Sequence, residues 1–390
     1  MSITVLEATK LETFKNFRLV AGHRGLDNIV EKIGILDWEF ITKLEGHFIE
    51  GEFAKGEFVL SSLLFAKDKP DLVIEAVKYL VESQVSGLAI KNIYYNDLPI
   101  EVINYANEKS IPIFIFDNSV YFEDIITQTM DKIRSINNYE LLETKVDLLI
   151  KMNLNKALIR DIAFEINSSF KECIFVLYIK EKKFIEDNNI ILIIERLKRN
   201  KITSLYDSVL KYGNGILIIS TFEKLEEKDY KNKVNYLLKT IGIYNKEYYI
   251  GISNLHKSLS ELGNGINESI FAQRTGEVSS NSFNYFSDIG VYSILMPYMN
   301  DTWVRNFHNR IIMPIKSYDE KYNGELFNTA IKYIENDGKI NETASELFLH
   351  KNTIRYRINK IKELLNMNDC EGSFHEQLSI AIKLYKIYNI

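Results

Sequence analysis

The run from Gly338 to Leu365, GKINETASELFLHKNTIRYRINKIKELL, constrains the fold more than any other stretch of the chain. It reads as two short helices with a tight break between them. Glu342 to Phe348 make the first, an amphipathic turn and a half, and Leu349, His350 and Lys351 interrupt it. The second runs from about Asn352 to Leu365. Its apolar positions Ile354, Ile358, Ile361, Leu364 and Leu365 recur mostly at intervals of three and four, so they form one buried stripe. Lys351, Arg355, Arg357, Lys360 and Lys362 surround that stripe, with no acidic residue before Glu363. A helix apolar on one side and basic on the other suits the major groove of DNA. Ala344 is small enough to let the first helix lie close across the second.

Most charged helix faces are merely solvated, and an ordinary helical hairpin would show the same stripe. Two features of the residues themselves favour nucleic acid. The break has the length of a helix-turn-helix. The second helix opens with His350, Asn352, Thr353 and Arg355, side chains suited to bases and phosphates. A third feature is resemblance. The run His350-Lys351-Asn352-Thr353-Ile354-Arg355-Tyr356-Arg357-Ile358, followed by Asn359-Lys360-Ile361-Lys362-Glu363-Leu364-Leu365, resembles the C-terminal helix-turn-helix of the PucR/CdaR family of bacterial transcription regulators. That resemblance implies an all-α, Fis-like domain. It also implies DNA contacts from His350, Lys351, Asn352, Thr353, Arg355, Tyr356, Arg357 and Lys360.

Length and composition fit several domains. At 390 residues, two or three are expected, and 46% hydrophobic residues supply their cores. No apolar run approaches the roughly 18 residues that mark a membrane span, and the N-terminus does not read as a signal peptide. Cys173 and Cys370 lie far apart and suggest no disulfide framework or metal cluster, so a reducing cytoplasm is expected. A net charge of −5 argues against coating nucleic acid along the whole chain, but it leaves room for one local basic helix.

From Thr4 to about Ile133, strands and helices alternate. Thr9 to Asn16 reads as a helix, Phe17 to Gly22 as a strand, Ile33 to Leu36 as a strand and Phe58 to Ser62 as a third. Pro70 to Ser83 is a helix, Gly87 to Ile90 a strand, Pro99 to Lys109 a helix and Pro112 to Phe116 a strand. This is α/β layering with a parallel sheet. Arg18 to Val30, Gly56 to Ser62, Gly87 to Ile90 and Ile111 to Phe114 follow in the order found in the PucR N-terminal domain, and the resemblance implies that this region senses a small metabolite. Gly56, Glu57, Ser61 and Ser62 sit at a strand's carboxyl end or its approach, where open α/β sheets bind ligands. The same residues also suit a turn and a cap. His23, in the turn at Gly22 to Asp27, is a lone histidine with the same ambiguity.

The segment from Tyr139 to Asn167 lacks Gly and Pro and reads as a connecting helix, either a dimer contact and signal route or a domain cap. A second α/β module follows. Its strands are expected at Cys173 to Ile179, Ser204 to Leu210, Gly215 to Ser220 and Tyr248 to Ser253, with helices at Asn188 to Asn200, Leu225 to Ile241 and Ser258 to Thr275. This order resembles the degenerate GGDEF-type domain in the middle of CdaR-like regulators. A cyclase needs an acidic pair in its hairpin and a carboxylate on its first strand. Here the hairpin reads Tyr212-Gly213-Asn214-Gly215-Ile216 and the strand reads CIFVLYIK, so a scaffold, a dimer contact or a second sensing site is implied instead.

A helical bridge spans Phe286 to Ile315, and Pro314 to Lys321 resembles the loop before the family's DNA-binding domain. Asp337-Gly338 should break the helix before it, Asn341 is the expected N-cap, and the last helix should cover Phe374 to Asn389. The six histidines show no metal-ligand spacing, and no phosphate loop of the G-x-x-x-x-G-K kind is present.

The sequence therefore predicts a multidomain protein: an α/β N-terminal sensor domain, an α/β degenerate GGDEF-like middle domain and an all-α helix-turn-helix domain. The expected limits are 1–135, a connecting helix at 136–168, then 169–290, a bridge at 291–325 and 326–390. The function expected is a cytoplasmic transcription regulator, not an enzyme. It would bind double-stranded operator DNA as a homodimer or higher homo-oligomer and respond to a small-molecule effector of purine, nitrogen or related catabolism. No cofactor, metal or membrane partner is expected. The competing reading is an enzyme acting on a nucleotide or small nitrogenous substrate through an α/β domain.

Overall fold

A computed structural model describes residues 2–37, 53–183, 187–199, 204–241, 247–368 and 371–389. The chain forms two compact units, Met1–Leu141 and Leu142–Ile390.

The first unit opens with β1 (Ile3–Thr4) and α1 (Val5–Ala8). The helix predicted over 9–16 lies earlier, because Thr4 and Glu7 form a capping box: Thr4 Oγ1 accepts from Glu7 N at 3.1 Å, and Thr4 N donates to Glu7 Oε2 at 2.9 Å. Only a 3₁₀ turn, Glu12–Phe14, falls in the predicted stretch. There follow β2 (Arg18–Ala21), β3 (Ile29–Val30), β4 (Lys32–Ile35), β5 (Glu57–Ser61), α2 (Asp71–Glu82), β6 (Gly87–Lys91), α3 (Ile100–Lys109) and β7 (Ile113–Phe116). The sheet order is β2-β7-β6-β5-β4. Four strands are parallel as expected, but β2 joins β7 antiparallel, so the sheet is mixed. Both faces are covered. Val59, Leu88, Ile90, Ile113 and Ile115 pack on α2 and α3, while Phe58, Leu60, Ala89, Phe114 and Phe116 pack on the N-terminal segment and on Ile125 and Ile133. Burial on both faces explains why these strands read as continuous apolar runs.

The connecting helix expected at 136–168 is two helices, α4 (Phe122–Lys151) and α5 (Lys156–Ile166). Asn155 makes the break by capping α5, its Oδ1 accepting from Leu158 N at 2.9 Å.

The second unit continues with β8 (Cys173–Glu181), α6 (Asp187–Arg199), β9 (Asp207–Tyr212), β10 (Gly215–Phe222), α7 (Glu227–Ile241), β11 (Tyr248–Ile252), α8 (Leu262–Ser279) and β12 (Phe283–Tyr285). The sheet order is β12-β11-β8-β10-β9. β9 and β10 form an antiparallel hairpin, Tyr212 opposite Gly215, closed by Gly213 at φ +50° and Asn214. Ile174, Val176, Tyr178, Leu217 and Ile219 face Val146, Leu149, Ile162, Ile266 and Ile270 across one side of this sheet. On the other side, the Phe175 ring meets Tyr230 edge-on at 5.5 Å. Cys173 is buried, and Cys370 lies outside the described residues.

The C-terminal part is all helical: α9 (Tyr292–Tyr298), α10 (Thr302–Tyr322), α11 (Leu326–Glu335), α12 (Ile340–Glu346), α13 (Lys351–Leu364) and α14 (Glu371–Tyr388). Pro314 and the residues after it, expected as a loop, lie inside α10. The buried Ile311, Ile312 and Ile315 anchor that helix in the terminal core and outweigh proline's missing N–H.

Candidate nucleic-acid interface

The helical domain is built around one apolar cluster. Ile354, Ile358 and Ile361, the stripe predicted for the second helix, are buried together with Leu326, Ala330, Ala344, Phe374, Leu378 and Ile382. Asp319, near the end of α10, positions the next helix. Its two carboxylate oxygens accept from Leu326 N and Phe327 N, each at 2.8 Å, and so cap α11 from the preceding helix. Helix α11 ends at Glu335, and beyond it Asp337 and Gly338 are both left-handed, with φ +51° and +76°. Gly338 N donates to Tyr333 O at 2.8 Å, closing the cap. Lys339 occupies the N-cap position of α12, which places the expected cap, Asn341, inside the helix.

The turn between α12 and α13 holds its shape through Leu349 N, which donates to Ala344 O at 2.9 Å. Phe348 sits in it at φ +55° with its ring 94% exposed. His350 is the N-cap of α13; its Nδ1 accepts from Asn352 N at 3.2 Å.

The proposed contact residues divide into two groups. His350, Lys351, Asn352, Arg355 and Tyr356 are exposed, and Thr353 is half-buried. Asn352, Arg355 and Tyr356 share one face, opposite the isoleucine stripe. Neither Lys351 nor Arg355 has a carboxylate within salt-bridge distance among the described residues. Arg357 and Lys360 are held differently. Arg357 Nη1 donates to Thr329 Oγ1 at 3.0 Å and to Glu325 Oε2 at 3.2 Å, which ties α13 to α11. Lys360 Nζ donates to Glu363 Oε2 at 2.7 Å, and that hydrogen bond holds its ammonium above the usual lysine range.

Sequence reasoning did not single out two exposed residues beside this face. Asn359 continues the stripe of Asn352, Arg355 and Tyr356 by one more turn, which helical spacing could have shown. Phe348 could not be found by pattern, because an exposed aromatic in a turn reads like a core residue. Behind the interface, Lys332 bridges Glu335 at 2.9 Å and Glu346 at 2.6 Å, bonds that push its ammonium up to about 12. Lys386 reaches Glu335 at 2.6 Å.

The effector residues expected in the first unit are bonded internally. Gly56 is a turn residue at φ +81°. Glu57 is 5% exposed, accepts from Ala54 N at 3.0 Å and pairs with Lys32 at 3.0 Å. Ser61 Oγ donates to Leu36 O at 2.5 Å. Asp37 Oδ1 accepts from Ser62 N at 3.1 Å and from Ser62 Oγ at 3.0 Å. His23 lies exposed in a 3₁₀ turn. Among the described residues no group of three or more His, Cys, Asp or Glu could hold a metal ion, and no helix is long and apolar enough to cross a membrane.

Comparison with known proteins finds a family pattern near each end of the chain. The pattern of the purine catabolism regulatory protein-like family matches residues 7–133, and that of the PucR C-terminal helix-turn-helix domain matches residues 326–384. The proline-responsive transcriptional activator PutR of Bacillus subtilis is 28% identical over 35% of this chain and 34% of its own length. The purine catabolism regulatory protein of the same species is 25% identical over 36% of this chain and 25% of its own. The carbohydrate diacid regulator of Escherichia coli is 21% identical over 43% of each. The chain thus matches less than half the length of each of these relatives. It matches a PucR-type pattern at either end, and the relatives it resembles are themselves named as regulators.

Proposed function

We propose that this protein is a transcription regulator that binds operator DNA through α13. The observation that carries the reading is the exposed face from Lys351 to Asn359, where two cations with no carboxylate partner among the described residues stand beside Asn352 and Tyr356. Arg355 would read a base edge, and Lys351 would neutralise a phosphate. His350 and Thr353 would lie against the backbone at the helix start. Arg357 would hold α13 in place, and Lys360 would add a weaker phosphate contact. Tyr356 would pack on sugar or base. A single module of this size has a small footprint, so a homodimer on two half-sites is the physical expectation.

The first unit would sense a small metabolite, with Gly56, Glu57, Ser61 and Ser62 near its site. The relatives are named for proline, purine catabolism and carbohydrate diacids, so a metabolite is supported as a class and its identity differs among them. The α/β sheet of the second unit would be a degenerate GGDEF-like scaffold, its hairpin turning at Gly213-Asn214 without an acidic pair. The domain limits proposed are those expected from sequence, and a cytoplasmic location follows from the role. Duplexes selected from a random pool by the full-length protein test the reading. A recovered two-fold motif supports both DNA binding and the dimer, and a pool without enrichment contradicts the DNA reading. Sedimentation of a monomer on and off that duplex contradicts the dimer.

A further inference from the structure

The α/β part of the second unit carries a polar cleft that DNA binding does not use. Its walls are the last turns of α4, the end of β8, the β9–β10 turn and one side of α8. Its volume, about 570 Å³, suits a small molecule rather than a chain segment.

Most charges on its walls are matched. Lys151 meets Asp147 at 2.6 Å and Lys180 meets Glu277 at 2.7 Å. Glu143 accepts from Gly213 N at 2.7 Å and pairs with Lys211 at 3.3 Å. Tyr212 Oη donates to Asp147 Oδ1 at 2.8 Å. Burial works against the charge of Asp147, but its bonds to Lys151 and Tyr212 outweigh this and hold the carboxyl below its ordinary range.

Two donors on α8 are left over. Gln273 is 1% exposed, and its Nε2 finds no acceptor among the described residues. Such an orphan donor is uncommon in a buried site and points to a missing partner. Beside it Arg274, half-buried, reaches only as far as the Met299 thioether, at 3.6 Å, with no carboxylate in salt-bridge distance among the described residues. A guanidinium next to an unfilled amide donor is a pairing that a carboxylate satisfies. The other walls offer the opposite chemistry, with acceptor oxygens from Asp147 and from the amides of Asn214 and Asn267.

We propose that this cleft binds a small carboxylate whose other end carries N–H or O–H donors, the chemistry shared by amino acids and hydroxy acids. The carboxylate sits against Arg274 and Gln273, and the donors face Asp147. This site is separate from the effector site assigned to the first unit.

The test is calorimetric titration and thermal denaturation of the full-length protein in two arms. One arm uses the common L-amino acids, the other lactate, tartrate and gluconate. A member of one arm should bind and raise Tm, and the arm that responds identifies the source. Arg274→Lys keeps the charge without the fork and should weaken binding tenfold or more, as should Gln273→Glu, which replaces donors with acceptors. Circular dichroism of each variant reports that it folds. The proposal is overturned if no probe in either arm binds at millimolar concentration. It is also overturned if a probe binds the parent and the folded variants alike.

Discussion

The outward face of α13 and strand β5 with its flanking residues both carry polar side chains, and they use them in opposite ways. On α13, Lys351 and Arg355 are exposed to solvent and pair with no carboxylate among the described residues. At β5, Glu57, Ser61 and Ser62 are buried and satisfied by Lys32, Leu36 and Asp37. What separates the two functionally is whether the described residues already supply the partner. A polar group satisfied inside the fold acts on stability, whereas one left facing water is available to a second molecule.

That contrast predicts where substitutions act. The largest expected effect is at Asp37. Asp37→Ala leaves Ser62 N and Ser62 Oγ without their acceptor, at a cost of about 1–3 kcal/mol for each group left buried and unpaired. Chemical denaturation should show the loss, with DNA affinity of the folded fraction retained; an unchanged midpoint would mean that the serines find other partners. Arg355→Ala should do the reverse. Duplex affinity falls by about 1–3 kcal/mol with relaxed specificity, while Tm stays put. Equal affinity for the selected duplex would remove Arg355 from the interface. Arg357→Ala should resemble Asp37→Ala more than its neighbour two residues away, losing about 1 kcal/mol of stability through its hydrogen bond to buried Thr329. The smallest effect is on salt dependence. Lys351→Ala should lower the slope of log K against log salt by about one, and Lys360→Ala by less, because Glu363 already neutralises it. Equal changes would show that the Lys360 ion pair opens on DNA.

Much of this architecture was legible in the residues. The strand runs at 87–90 and 113–116 are apolar throughout because both faces of the sheet are covered, and the isoleucine stripe of α13 showed its helix and its buried side. Two kinds of feature were not legible. Local hydrogen bonds moved boundaries: the Thr4 and Glu7 box drew the first helix forward, and Asn155 split the connecting helix. Packing overrode a strong local signal at Pro314, which reads as a helix stop yet lies within α10. The division between Arg355 and Arg357 was equally hidden. Two residues apart on a helix they point some 200° from each other, but only the positions of Thr329 and Glu325 show which one is taken.

The most direct test of the central claim is duplex selection from a random pool by the full-length protein, run in parallel with Arg355→Ala and Arg357→Ala. The parent should select a motif, Arg357→Ala the same motif, and Arg355→Ala a relaxed one or none. A motif that survives Arg355→Ala unchanged, or no motif with any of the three proteins, would contradict that claim.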